Sequence, residues 1–198
     1  MGSDVKTSWR AQQAAATRER IAETARALFA SSGYATTSID RIAQEAGVAV
    51  RTVYAAYGSK REILSEICEA WLTRADARGR AAEVLERPDE TSRLRGAVEW
   101  LVDLYTADFD VVLILETAAD ESPETQELLR AKLAGRDRIM NGFMRSLRPA
   151  LRVPLPEAQA VYRALAAPGV YRELVLRAGW DRTRLIDWIE ETLRRSVL

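Results

Sequence analysis

Apolar residues recur along most of the chain at three- and four-residue intervals, the period of a helix face, and no stretch alternates convincingly as a strand would. The clearest block is Ser38–Tyr57. Its first half places Ile39, Ile42, Ala43 and Ala46 on one side of a helix. Its second half places Val50, Val53, Tyr54 and Tyr57 on one side of another, leaving Arg51, Thr52 and Ala55 directed elsewhere. Gly47 between them offers the left-handed conformation that ends a helix and turns the chain. Two short helices about a glycine turn predict a helix-turn-helix.

The same pattern extends in both directions. From Thr17 onward, Ile21, Ala22, Ala25, Leu28 and Phe29 predict a helix that Gly33 stops. Thr37 is placed to cap the next helix, with Asp40 in the capping-box position, so residues 17–57 predict three helices. Upstream, residues 1–16 are polar and then alanine-rich, and are expected to be a flexible arm that turns helical near its end. Lys6 and Arg10 there either reach DNA phosphates or a minor groove, or sit on a frayed terminus.

Downstream, Ser59 and Glu62 form a capping box at the head of a long helix bearing Ile63, Leu64, Ile67, Ala70 and Trp71. That helix is expected to run to about Glu86, where Arg87-Pro88-Asp89 interrupts it. A helix with Leu94, Val98, Leu101, Val102 and Tyr105 follows. Val111–Leu115 is apolar in succession, which fits a buried strand, but its polar flanks favour a short buried helix. Ser122-Pro123-Glu124 opens another helix, ending before Pro149. Pro154–Glu157 opens the next, which Pro168-Gly169 kinks or divides, and Asp181 caps the last. The fold class is all-α: a three-helix head, residues 17–60, followed by a larger helical region, residues 61–198.

Composition narrows the function. Apolar residues make up 47% of the chain, enough for a packed core. Net charge is zero, but residues 1–60 carry +3 and the remainder −3, which puts the positive excess where a phosphate-contacting module would need it. Cys68 is the single cysteine, so no disulfide framework exists and a cytoplasmic setting is expected. No apolar run is long enough to span a bilayer and no signal-peptide pattern opens the chain, so no membrane partner is expected. Histidine is absent, which removes the commonest general base and metal ligand. Neither a catalytic triad nor a glycine-rich phosphate loop can be assembled, and no enzyme activity, cofactor or metal is expected.

The order Gly33-Tyr34-x-x-Thr37, Ile42-Ala43-x-x-Ala46-Gly47-Val48, Thr52-Val53-Tyr54 and Tyr57-x-Ser59-Lys60 resembles the DNA-binding region of tetracycline-repressor-like (TetR) transcriptional regulators, over residues 17–64. The resemblance implies a homodimeric, usually repressing protein whose third helix sits in the major groove. It also implies a C-terminal domain in which a ligand changes the separation of the two reading heads. By position, Thr37 matches a phosphate contact, Thr52 and Tyr54 match backbone or base contacts, and Lys60 matches a phosphate-gripping lysine. Val50, at the head of the recognition helix, joins the same candidate set.

Three positions depart from the family pattern. Ala49 stands where a serine usually caps the recognition helix, a loss of about 1 kcal/mol unless compensated. Arg51 replaces a small residue and suits bidentate contact with guanine, or else a solvated or phosphate-only role. Ala55 and Ala56 replace positions that often carry larger contacts. Tyr54 shares a face with Val50 and Tyr57, so it is either a DNA contact or a core tyrosine.

In the C-terminal region Trp71, Trp100, Tyr105, Phe109, Met140, Phe143 and Met144 either line a pocket for an apolar or aromatic effector or fill the core. Glu116 and Asp120 either read a cationic ligand or end a helix in solvent. The last two helices, about residues 156–178 and 181–196, are expected to pair with their copies as a four-helix bundle. Val161, Leu165, Leu185 and Trp188 are the interface candidates, with Trp188 alternatively anchoring the last helix on its own subunit. The resulting reading is a ligand-responsive repressor on a palindromic operator. Its rival is a helical dimer that binds a small molecule or protein and has lost DNA binding, a reading that the missing cap and paired alanines favour.

Overall fold

The computed structural model describes residues 2–198, and side chains from Trp9 onward, so the Lys6 side chain lies outside the described residues. Among these residues every regular element is helical: α1 (Gly2–Ser32), α2 (Ile39–Glu45), α3 (Val50–Tyr57), α4 (Lys60–Arg74), α5 (Ala77–Leu85) and α6 (Glu90–Ala107). They are followed by α7 (Phe109–Ala119), α8 (Pro123–Ser146), α9 (Leu155–Leu165), α10 (Pro168–Tyr171) and α11 (Arg182–Val197). The chain divides into two compact units, one of residues up to Trp71 with Leu113–Lys132, the other of Leu72–Val112 with Leu133–Leu198.

In the first unit, α1, α2 and α3 pack on one another around Ile21, Ala25, Phe29, Ile42, Ala43, Val53 and Tyr57, all buried. The apolar spacing that predicted each helix supplies these residues. Phe29 and Tyr34 meet edge to face at 4.9 Å, closing the core where α1 ends. Ile63, Leu64, Ile67, Cys68 and Trp71 of α4 are likewise buried, as are Ile114, Leu115 and Ala118 of α7.

In the second unit α6 packs on α5 and α11, and α11 packs on α9. The interior is pinned by polar groups that find partners. The Tyr162 hydroxyl donates to the Ala97 carbonyl at 2.7 Å, and Trp100 Nε1–H donates to the Ala77 carbonyl at 2.8 Å. Asp103 of α6 accepts hydrogen bonds from Arg80 and, at 2.6 Å, from Arg182. Burial pushes the Asp103 carboxyl up, but the hydrogen bonds from those arginines outweigh it and hold the carboxyl below its ordinary range.

Three boundaries differ from the sequence expectation, and a fourth, at Pro168, follows one of the two alternatives it left open. Helix α1 begins at Gly2, so the stretch read as an arm to residue 16 is helical. Ser38, not Thr37, caps α2, accepting from the Arg41 amide at 3.2 Å. The long helix expected to reach Glu86 stops at Arg74. Asp76 adopts a left-handed backbone (φ 43°) and its carboxylate caps α5 by accepting from the Gly79 amide at 3.2 Å. A side chain at Gly79 would have its Cβ 2.4 Å from Asp76 Oδ2, so that cap needs glycine there. Pro168 divides the penultimate helix into α9 and α10, and the segment after α10 winds as a π-helical turn, Arg172–Arg177, up to Gly179.

Candidate nucleic-acid interface

The turn between α2 and α3 is closed by two backbone bonds. The Gly47 amide donates to the Gln44 carbonyl at 3.1 Å, and the Val48 amide donates to the Ala43 carbonyl at 2.9 Å. That pair is the Schellman arrangement, and Gly47 at φ 64° supplies the left-handed residue it requires. Ala49 then extends (φ −71°, ψ 145°) and α3 starts without any side-chain cap.

Eight residues long, α3 buries Val53 and Tyr57 and leaves Val50, Thr52 and Ala56 partly covered. Arg51, Tyr54 and Ala55 face solvent. Their spacing of three and four puts them on one side of the helix. Tyr54 is 52% exposed, so it is not the core tyrosine that its spacing allowed; Tyr57 is. Arg51 makes no hydrogen bond or ion pair among the described residues, which leaves its guanidinium free for a ligand.

The other two DNA candidates sit differently. Thr37 is only 1% exposed, and its hydroxyl donates to the Gly33 carbonyl at 2.7 Å. It is a structural residue of the α1–α2 turn, and exposed Ser38 holds the surface position expected of it. Lys60 lies at the head of α4 with its ammonium turned back onto that turn. Nζ donates to the Tyr34 carbonyl at 2.8 Å and the Ala35 carbonyl at 3.4 Å. It also stands 4.2 Å from the Tyr34 ring centroid and 3.5 Å from the Glu121 carboxylate. Burial first, and then the Glu121 charge, pushes the Tyr34 phenol up to about 12, opposed by a hydrogen bond with Thr125.

Sequence reasoning did not single out Arg18. From α1 its guanidinium donates to the Ala56 carbonyl at the end of α3, pairs with Glu66 of α4 at 3.0 Å and lies 4.2 Å from the Tyr57 ring centroid. Tyr57 returns a bond, its hydroxyl donating to the Arg18 carbonyl at 2.8 Å. Burial raises the Tyr57 phenol, with the Arg18 charge opposing. The available signal was indirect: an arginine on α1 and a helix of eight residues with no basic residue in its last turn.

Elsewhere, Trp71 and Glu116 belong to the first unit and the remaining effector candidates to the second. Trp71, Trp100, Tyr105, Met140, Phe143 and Met144 are buried, Phe109 is half-buried and Glu116 is exposed. Trp100 and Phe143 meet edge to face at 5.3 Å, as core aromatics do. Phe109 lies against Tyr171 at 4.4 Å and Tyr105 at 5.8 Å. Of the dimer candidates, Leu185 is 1% exposed and thus buried within its own subunit, which removes it from an interface between copies. Val161 and Leu165 are half-buried, and Trp188 is 37% exposed with its ring edge-on to Trp180 at 5.9 Å.

An all-helical chain that presents a helix-turn-helix with a solvent-facing second helix has the architecture of the helix-turn-helix DNA-binding regulators. Comparison with known proteins names the group. Residues 21–67 match the family of bacterial regulatory proteins described as the tetR family. The chain is 30% identical over 191 residues to the HTH-type transcriptional repressor SCO4008 of Streptomyces coelicolor, covering 92% of this chain and 95% of that one. Its fold is similar to the TetR family regulator PfmR of Thermus thermophilus (TM-score 0.71, 24% identity, covering 89% and 95% of the two chains). It is also similar to the transcriptional regulator FadR of Bacillus subtilis in complex with stearoyl-CoA (TM-score 0.73, 17% identity, covering 91% and 99%). The chain belongs to the TetR family and is a transcriptional regulator, not an enzyme. None of its described helices is long and apolar enough to cross a membrane.

Proposed function

We propose that the protein is a homodimeric repressor whose two copies of α3 read a palindromic operator, and that a small apolar or aromatic effector releases it. The observation that carries this reading is the solvent-facing stripe of Arg51, Tyr54 and Ala55 on a short helix whose opposite face is buried. Arg51 offers the planar fork that pairs with guanine O6 and N7 in the major groove. Tyr54 carries a hydroxyl to a phosphate or base edge, and the Ala55 methyl suits a thymine methyl. Val50 and Thr52 flank the stripe at the groove wall. Lys60 has one ammonium donor beyond the two on the turn carbonyls, and a phosphate competes with Glu121 for it. A two-fold dimer then addresses two half-sites about 34–36 Å apart.

Trp188 with Val161 and Leu165 supports dimerisation through α9 and α11, two helices that carry exposed or half-buried apolar residues. The Phe109–Tyr171–Tyr105 aromatic group supports an apolar or aromatic effector in the second unit. The FadR of Bacillus subtilis, whose fold is similar, was solved with an acyl ligand, stearoyl-CoA.

The test compares two variants on duplexes selected by the wild-type protein from a random library. Arg51→Ala should relax preference at one position in each half-site, by about 1–3 kcal/mol. Lys60→Ala should weaken every duplex alike and make binding less salt-dependent. Equal effects of Arg51→Ala on matched and mismatched duplexes would remove it as a reader.

A further inference from the structure

Helix α3 is too short to hold its own shape. Eight residues fall well below the length at which an isolated helix is stable in water, so its form and direction depend on its surroundings. Its N-terminus has no side-chain cap, and no basic residue lies in its last turn to meet the negative end of its dipole. Val53 and Tyr57 anchor one face by burial, so the direction of the helix rests on these two side chains and on the contacts made at its ends.

We infer that Arg18 is the positioning residue of the recognition helix, acting as a three-way bracket that fixes the direction in which Arg51 and Tyr54 are presented. The inference rests on the reading of α3 as the DNA-reading helix. A single guanidinium from α1 caps the otherwise open C-terminal carbonyl of Ala56, lies over the Tyr57 ring at 4.2 Å, and is held from its far side by Glu66 of α4 at 3.0 Å. The Tyr57 hydroxyl bonds back to the Arg18 main chain at 2.8 Å, so α1 and α3 are joined by two reciprocal hydrogen bonds. Arg18 thus supplies from another helix the positive charge that the last turn of α3 lacks. The planar, forked guanidinium stacks on the ring while bonding two oxygens on different elements.

Base reading and phosphate attraction depend on this bracket differently. A bidentate arginine–guanine pair fails when the donor helix shifts by about an ångström, because both hydrogen bonds bend together. Attraction to phosphates depends on the number and placement of charges, and a small rotation of α3 leaves it intact. Loss of the bracket should therefore cost discrimination and spare non-specific affinity.

The experiment measures binding of wild-type, Arg18→Ala and Tyr57→Phe proteins to the selected duplex and to a scrambled duplex, over a range of salt. Arg18→Ala is expected to lower the ratio of matched to scrambled affinity about tenfold, the size of one lost bidentate pair, with an unchanged salt slope. Tyr57→Phe keeps the ring and the Arg18 charge but loses one of the reciprocal bonds, so a fall of about twofold is expected. A variant that merely lost folded protein would scale both affinities equally and leave their ratio alone. An unchanged ratio overturns the inference. A parallel loss on both duplexes with the salt slope reduced by about one also overturns it, making Arg18 a phosphate ligand. Where circular dichroism shows Arg18→Ala unfolded, the Tyr57→Phe ratio decides alone. A wild-type protein that prefers no duplex refutes the underlying reading of α3, an outcome separate from either variant result.

Discussion

Replacing Ala49 with serine tests whether α3 is soft at its start. Ser38, Ser59, Asp76, Asp89, Ser122 and Asp181 each accept a hydrogen bond from the amide three residues on, at 2.8–3.2 Å, and so cap α2, α4, α5, α6, α8 and α11. Ala49 has the extended backbone of a cap residue (φ −71°, ψ 145°) and is exposed, so a serine hydroxyl fits there without strain or clash. Replacing an alanine by a capping serine stabilises a helix by about 0.5–2 kcal/mol. The Thr52 amide, which such a cap would meet, already donates to the Ala49 carbonyl at 2.8 Å. The gain therefore belongs at the lower end, about 0.5–1 kcal/mol, or about two- to fivefold in the equilibrium between closed and open helix. Amide hydrogen exchange in the free protein reads this directly: exchange at Val53–Tyr57 should slow about two- to fivefold in Ala49→Ser, while amides in α6 and α11 keep their rates. Unchanged or faster exchange in α3 would refute the reasoning, because it would mean that the absent side chain leaves no open state to suppress.

Three further outcomes follow from named contacts. Glu121→Gln removes the carboxylate 3.5 Å from Lys60 Nζ, and because that pair is partly exposed the effect is modest: affinity for all duplexes should rise about twofold at low salt and converge with wild type at high salt, by fluorescence anisotropy. Asp103 is held below its ordinary range in the folded protein, so its stabilisation is present above that range and is lost as pH falls through the folded value; Asp103→Asn should cost about 1–2 kcal/mol at neutral pH and flatten the acid limb of a thermal-melt pH profile. Trp188→Glu should raise the dimer dissociation constant at least about tenfold in sedimentation velocity, and an unchanged dimer would assign Trp188 to its own subunit, where it meets Trp180.

The head was readable because its breaks coincide with local chemistry. Gly33, Gly47 and Gly58 all have positive φ, and each ends a helix where an apolar stripe also stops. The break at Asp76 was hidden, since Arg74-Ala75-Asp76-Ala77 reads as ordinary helix and only the carboxylate's preference for its own neighbouring amide divides it. Thr37 and Ser38 are adjacent residues with equal capping chemistry, and burial of Thr37 in the α1–α2 turn chose between them. Leu185 failed as an interface residue for a related reason: α11 buries Leu185, Ile186, Ile189, Leu193 and Val197 together, and an amphipathic stripe does not state whether it faces its own subunit or a copy.

Lys60 and Arg18 illustrate what residue type alone leaves undecided. A lysine beside a helix N-terminus reads as a phosphate ligand, yet its nearest oxygens here are the Tyr34 and Ala35 carbonyls, and what it has to spare is contested by Glu121 from a distant part of the sequence. An arginine on α1 reads as surface charge, yet it meets the open end of α3. The two residues brace opposite edges of the helix-turn-helix, Lys60 the entry before α2 and Arg18 the exit of α3. Between them α3 is held by hydrogen bonds at Ala56 and Tyr57 and lacks a side-chain cap at Ala49, so under the proposed reading the end that carries Arg51 is the one left to adjust to a base. A serine at Ala49 would tighten the loose end and loss of Arg18 would free the firm one, which is why the first is expected to alter the opening of α3 and the second its aim.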